Sequence, residues 1–361
     1  MLEEFRGKRV LITGHTGFKG AWLTLWLKLL GAEIIGVALD PVYEKGAFNA
    51  MRVSSLCTDI RQDINDLNAV KKIFKEYQPE IVFHLAAQPL VLDSYERPVE
   101  TFQTNVIGTV NILESCRFVK SIRAIVIITS DKCYENLEIN KGYKETDKLG
   151  GKDPYSASKA AAELVVNAYR ESFFQKDTGI GIATARAGNV IGGGDWATNR
   201  IVPDCIKALL ANQALNIRNP DAVRPWQYVL EPLRGYLMLA EKLLTNPLFF
   251  SGPWNFGPGE KSKLTVSELV SAVFKTWNTE TSKTLPPSNQ SPNQSISQSY
   301  REAHLLSLDI TKARKYLNWH PNHPIIQSVN LTVNWYKAQS NGEDMQNYSI
   351  KEIYEYQKLF R

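Results

Sequence analysis

The chain has 361 residues, too many for one small domain and enough for a large α/β domain with a smaller companion. Hydrophobic residues at 43%, charged residues at 22% and a net charge of +5 without any basic run fit a globular enzyme and speak against a nucleic-acid partner. The opening MLEEFRGKRV lacks the apolar core of a secretion signal, and Lys28 and Glu33 interrupt the apolar stretch 21–39, so no membrane span is expected and the compartment expected is the cytoplasm.

Lys8 to Thr13 reads as a buried strand, glycines follow, and Ala21 to Leu30 reads as a helix. Glu33–Leu39 is the next strand, and Ile81–His84, residues 123–128 and Gly181–Ala185 are further buried-strand candidates. Helical patterns over 66–76, 99–119 and 154–176 separate them. Such alternation predicts βαβ units: a Rossmann-type, doubly wound parallel sheet with helices on both faces. Beyond about residue 190 segments shorten and Pro and Trp become more frequent, which predicts a smaller mixed α/β part. The expected division is 1–188 for the nucleotide-binding domain and 189–361 mainly for a substrate domain, with part of 222–252 returning to the first. Cys57, Cys116, Cys133 and Cys205 are far apart, form no CxxC pair and read as reduced thiols.

Three local patterns carry chemistry. Gly14-His15-Thr16-Gly17-Phe18-Lys19-Gly20 sits between the first strand and its helix, where glycines let backbone N–H groups approach a pyrophosphate. Asp40 ends the second strand, about 20 residues on, as a carboxylate that holds a ribose should. No basic residue follows it, so NAD is expected rather than NADP. Second, Tyr155 and Lys159 stand one helical turn apart behind Asp153, the expected N-cap, and Pro154. A tyrosine acting as a base near neutral pH needs its pKa lowered from about 10 to about 7, roughly 4 kcal/mol, which a nearby ammonium favours. The same spacing recurs at Tyr354 and Lys358 in a polar terminal helix, where a solvated face is the expectation. Third, the apolar run 123–128 ends in Thr129-Ser130-Asp131-Lys132-Cys133-Tyr134, an unusual load of proton-handling groups for a strand tip. Thr129 or Ser130 is the hydroxyl expected to orient the phenol.

These elements, with HLAAQ at 84–88 and the segment opening at Asn105, resemble the extended short-chain dehydrogenase/reductase family over essentially the whole chain. The strings HTGFKGAWL, TSDKCYEN and RAGNVIGGGDWA are similar to the branch of sugar-nucleotide 4,6-dehydratases that acts on CDP-glucose. The resemblance implies NAD contacts at Gly14 to Gly20, Asp40, Asp63, Ile64, Leu85, Ala86, Ala87, Gln88, Asn105, Tyr155 and Lys159, with no metal. It implies substrate contacts at Gln88, Asn189, Arg200, Arg224 and Arg301, and a catalytic set of Ser130, Asp131, Lys132, Tyr155 and Lys159. It implies a homodimer or a dimer of dimers, pairing through the helices at 99–119 and 154–176. Related dehydratases carry Thr-Asp-Glu at the strand tip; here it is Ser130-Asp131-Lys132. Two roles are therefore open to Lys132, a neutral C5 base or a fixed charge facing an enolate. A sugar-nucleotide 4-epimerase, a dehydratase for another nucleotide and a non-catalytic NAD-binding scaffold are the competing readings.

His84 is expected as a satisfied core histidine. His320 and His323 are expected as plain loop residues rather than metal ligands. Trp22 and Trp26, at helical spacing, are expected in the core or at a subunit contact.

Overall fold

In a computed structural model the described residues are 2–139, 141–174, 178–217, 219–259, 262–278 and 306–360. In chain order the first half runs β1 (Arg9–Thr13), α1 (Phe18–Leu29), β2 (Glu33–Ala38), α2 (Ala47–Ala50), β3 (Thr58–Arg61), α3 (Leu67–Tyr77), β4 (Ile81–His84), α4 (Val91–Glu96), α5 (Pro98–Phe102), α6 (Gly108–Cys116), β5 (Ala124–Ile128) and α7 (Pro154–Phe173). Then come β6 (Gly181–Arg186), β7 (Val190–Ile191), α8 (Ile201–Ala211), β8 (Val223–Pro225), β9 (Gln227–Tyr228), α9 (Leu230–Thr245), α10 (Pro247–Phe250), β10 (Gly252–Asn255), β11 (Lys263–Thr265), α11 (Val266–Asn278), α12 (Thr311–Leu317), α13 (Ile325–Ser340) and α14 (Met345–Gln357).

Seven strands form one sheet in the order β10-β6-β5-β4-β1-β2-β3, every neighbouring pair parallel. A parallel sheet buries both faces, and alternation along β1 shows how: Val10 and Ile12 enter the core shared with α1 and α9, while Leu11 enters the one shared with α3 and α6. The chain winds outward from β1 to β3, then returns to the other side of β1 at β4. That reversal opens a crevice at the carboxyl ends of β1 and β4, where ligands of such sheets bind. β7 with β9, and β8 with β11, make two small two-stranded sheets beside it.

One helix differs from expectation. The segment expected as continuous over 99–119 carries a π-helical turn at Gln103–Ile107, between α5 and α6. Such turns reposition side chains, and Asn105 lies within this one. Trp22 and Trp26 are fully buried, and Trp22 Nε1 donates to the Gly193 carbonyl at 2.9 Å, so both belong to the core rather than to a subunit contact. No helix among the described residues is long and apolar enough to cross a membrane.

Candidate active site

The glycine turn after β1 is built for a close backbone approach. Gly14 has φ +75°, its N–H donates to the Val37 carbonyl at 2.8 Å, and a Cβ there would lie 2.7 Å from the Ala86 nitrogen. A Cβ on Gly20 would meet the Gly14 carbonyl at under 3.0 Å. Gly17 begins α1 with no side-chain cap, so N–H groups of the first turn point outward without a partner from a capping side chain. This cradle fits a pyrophosphate. His15 contributes only backbone to it. Its ring is fully buried against Gly36 and edge-on to Phe48, with Nε2 2.8 Å from Asp59 Oδ1, and burial pushes its pKa down. Thr16 ties the turn to β2 by donating to the Leu39 carbonyl at 3.0 Å.

Asp40 stands just past β2 with its carboxylate 88% exposed. Arg61, which the sequence did not single out, reaches it at 3.3 Å and Asp59 at 2.9 Å. Asp63 accepts the Asn65 N–H at 2.9 Å, and the Ile64 carbonyl accepts from Asn111 at 2.9 Å, which fixes the loop after β3. Leu85, Ala86 and Ala87 follow β4, where Ala86 N–H donates to Thr13 Oγ1 at 3.2 Å. Gln88 and Asn105 turn their amides toward the scaffold. Gln88 bonds Leu90 and Thr101; Asn105 accepts the Gln88 N–H at 2.9 Å and donates to Ser158 Oγ at 2.8 Å. Their side chains therefore brace the loop after β4 against α7. His84 is satisfied in the core between Thr13 and Thr109, its pKa pushed down to about 3 by burial and then by Lys159.

The tip of β5 divides its groups between two sides. Thr129 donates to Glu163 at 2.5 Å, joining a buried network in which Glu163 and Arg186 pair at 2.8 Å. Thr184 donates to Glu163, and Tyr134 accepts from Arg186. Ser130 faces the opposite way: Oγ donates to Asp131 Oδ1 at 2.9 Å, accepts the Lys132 N–H at 3.2 Å, and the hydroxyl is near enough to the Tyr155 phenol to lower its pKa. Of the two hydroxyls the sequence left open, Ser130 is thus the one beside Tyr155. Asp153 caps α7 as expected, accepting the Ser156 N–H at 2.9 Å, and sets Tyr155 and Lys159 on the face toward β5.

Asp131, Tyr155 and Lys159 are all buried. Burial pushes the phenol up to about 12, the reverse of the lowering expected for a base; the nearby Ser130 hydroxyl works against that and Asp131 adds to it. Burial pushes the Lys159 ammonium down to about 8, opposed by Glu163, and its Nζ lies 3.5 Å from the Ile128 carbonyl. Lys132 is half-buried, and no ion pair joins it to another described residue.

Tyr236 and Asp195 were not foreseen here, and Lys19, expected at the cofactor turn, also reaches these groups. Lys19 sends its side chain from the glycine turn into this chamber, its Nζ 5.9 Å from the Tyr236 ring centre. Burial pushes it down to about 7, helped by Lys159 and Arg200 and opposed by Asp131 and Asp195. Tyr236, on α9, is fully buried, feels Tyr155 and Asp131, and its hydroxyl has no partner among the described residues. Asp195 pairs with Arg200 at 2.8 Å and raises its pKa, and Arg200 also feels Tyr155. Nothing local in sequence brings α9 here, whereas Asp195 lay within the GGGDW string. Asn189 follows β6 with φ +50°, and its carbonyl accepts the Gln227 N–H at 3.0 Å. Arg224 sits on β8, away from the β5 tip in sequence and paired across to β11; Arg301 lies outside the described residues. The described residues hold no group of three or more His, Cys, Asp or Glu side chains placed for a metal.

A family model described as GDP-mannose 4,6 dehydratase matches residues 11–332. The chain belongs to that family. It is 46% identical over 356 residues to the CDP-glucose 4,6-dehydratase of Salmonella typhimurium, covering 98% of this chain and 97% of that one. A dTDP-glucose 4,6-dehydratase of Xanthomonas campestris is 25% identical over 342 residues, 90% and 92% of the two chains. Among solved structures, a UDP-glucose 4-epimerase of Thermus thermophilus in complex with NAD superposes with a TM-score of 0.74 at 26% identity, over 91% of this chain and 99% of that one.

Proposed function

We propose that this protein is an NAD-dependent CDP-glucose 4,6-dehydratase, a hydro-lyase that forms CDP-4-dehydro-6-deoxy-D-glucose. The observation that carries the reading is the pairing of an oxidation set, Tyr155 with Lys159, and a separate acid, Asp131, on one hydroxyl, Ser130. Identity of 46% to a CDP-glucose 4,6-dehydratase over nearly the full length supports the nucleotide.

The glycine cradle, Asp40 and the loop after β4 fit the cofactor, with Gly14 and Gly20 leaving room that any Cβ would fill. When bound, NAD supplies the acceptor for hydride from C4 and the donor that returns it to C6. Tyr155 takes the proton of the C4 hydroxyl, and the Lys159 ammonium stabilises the phenolate that does so. The 4-ketone acidifies C5–H. Asp131, buried beside Ser130, protonates the departing C6 hydroxyl, which leaves as water. Lys132 serves the same elimination, removing the C5 proton or holding the enolate charge. Arg200, Arg224 and Arg301 supply guanidinium forks suited to the pyrophosphate, and Asn189 and Gln88 border the sugar. We further infer that two copies pair through α5, the π-helical turn, α6 and α7, where Val99 is 75%, Leu164 60% and Ile107 49% exposed.

The test is to incubate the protein with CDP-, dTDP- and UDP-glucose and follow the 4-keto product by its alkaline ultraviolet absorbance. Turnover of CDP-glucose alone is expected. Turnover only of another nucleotide sugar would overturn the substrate, and NAD binding without any turnover would favour a scaffold. Light scattering of the wild type and of Leu164→Asp tests the pairing; a monomeric wild type would overturn it.

A further inference from the structure

The Asp131 carboxylate lies against backbone, and that backbone belongs to Gly188. A Cβ built on Gly188 meets Oδ2, Cγ and Oδ1 of Asp131, all at under 3.0 Å, a separation real Cβ atoms essentially never show. The Gly188 segment is held from behind. Its carbonyl accepts from the buried Gln227 side chain at 3.1 Å, the same Nε2 donates to the Phe256 carbonyl at 3.0 Å, and the next carbonyl, of Asn189, accepts the Gln227 N–H. Asp131, by contrast, ends in a carboxylate held by one hydroxyl, Ser130, at 2.9 Å. If a side chain appeared at 188, the carboxylate would swing before the backbone retreated.

We propose that Gly188 is a positioning residue for the elimination step: its missing side chain is the space in which the Asp131 carboxylate sits on Ser130 and faces the sugar. This rests on the reading of Asp131 as the acid that protonates the C6 hydroxyl. Gly188 touches no reacting atom and acts through Asp131. A methyl group there displaces the acid and leaves Tyr155 and Lys159, on α7, in place. Oxidation at C4 then continues while loss of water slows. The variant becomes an enzyme that stalls with the ketone formed and the nicotinamide reduced.

The experiment compares Gly188→Ala, Asp131→Asn and the double variant on CDP-glucose. A displacement of about 1 Å costs about 100-fold, so kcat for Gly188→Ala should fall by about that factor with KM changed less than about threefold. Reduced nicotinamide should accumulate in a single turnover, as seen by its near-ultraviolet absorbance. In the Asp131→Asn background Gly188→Ala should change the rate less than about twofold, because groups acting through one another are not additive. Full activity of Gly188→Ala, or losses that multiply in the double variant, would overturn the proposal. Stability gives a second reading that needs no turnover: Gly188→Ala should lower the melting temperature in the wild type and not in Asp131→Ala, where the obstacle is gone. An equal loss in both backgrounds also overturns it. Full dehydration by Asp131→Asn would instead remove the acid assignment, and the melting pair would still report whether the carboxylate fills this space.

Discussion

Residues 155–159 and 354–358 each place a tyrosine one helical turn ahead of a lysine, and the two helices use the spacing in opposite ways. On α7 both side chains are buried, Tyr155 meets Ser130, and Lys159 is pressed down to about 8. On α14 Tyr354 is 47% exposed, and Lys358, just beyond the helix, pairs with Glu355 at 2.6 Å on the surface. Spacing sets which side chains are neighbours. What the neighbours can do depends on whether water reaches them, since only a desolvated ammonium acts strongly on a phenol.

The comparison breaks most visibly at the tyrosines. Tyr155→Phe should lower kcat by about 1,000-fold, within the range for a positioned acid–base group, and Tyr354→Phe by less than about twofold, measured with CDP-glucose at saturation. An equal effect at both would show that α7 carries no special chemistry. Next are the acids beside each lysine. Glu163→Gln leaves Arg186 charged and buried without its partner and should cost about 3 kcal/mol in denaturant unfolding, whereas Glu355→Gln should cost less than about 0.5 kcal/mol. Lys132 sharpens the contrast at the β5 tip. Arginine keeps the charge and cannot act as a neutral base, so Lys132→Arg retaining elimination within about tenfold, with Lys132→Met losing about 100-fold, would assign the electrostatic role.

The smallest effect concerns pH and has two opposite slopes. Lys159 must stay charged to favour the phenolate, so kcat/KM should fall as pH rises through about 8 in the free enzyme. Its folded pKa lies below the ordinary 10.5, so the unfolded chain binds more protons between those values, and the stability linked to Lys159 should rise over the same interval. Lys159→Arg should move the activity limb upward and flatten the stability slope; an unchanged profile would remove Lys159 from both.

The fold was legible because βαβ alternation is local and repeated, and the glycine turn and α7 because capping and tight turns leave their marks within a few residues. The hydroxyl at the β5 tip was not resolved, since Thr129 and Ser130 differ only in which side of the strand end they face. Glu163, four residues past Lys159, decides it by claiming Thr129. His15 read as part of the cofactor turn, but its ring is held by Asp59 on β3, a contact across 44 residues. Gln88 and Asn105 read as ligand contacts from the resemblance alone; that they also bond each other follows from a π-helical turn with no sequence signature. Tyr236 reaches the chamber through the packing of α9, which composition does not announce.

Ser130 has one proton to give, and Tyr155 and Asp131 both adjoin it. While that proton points at Asp131, the phenol can only donate to Ser130, so Tyr155 rests as the acid form. A phenolate needs the proton turned toward itself, which releases the carboxylate. The chain of three groups thus has a polarity that reverses when the tyrosine is armed: a proton turned toward Asp131 favours its carboxylate, and one turned toward Tyr155 frees Asp131 to carry the proton that the elimination spends.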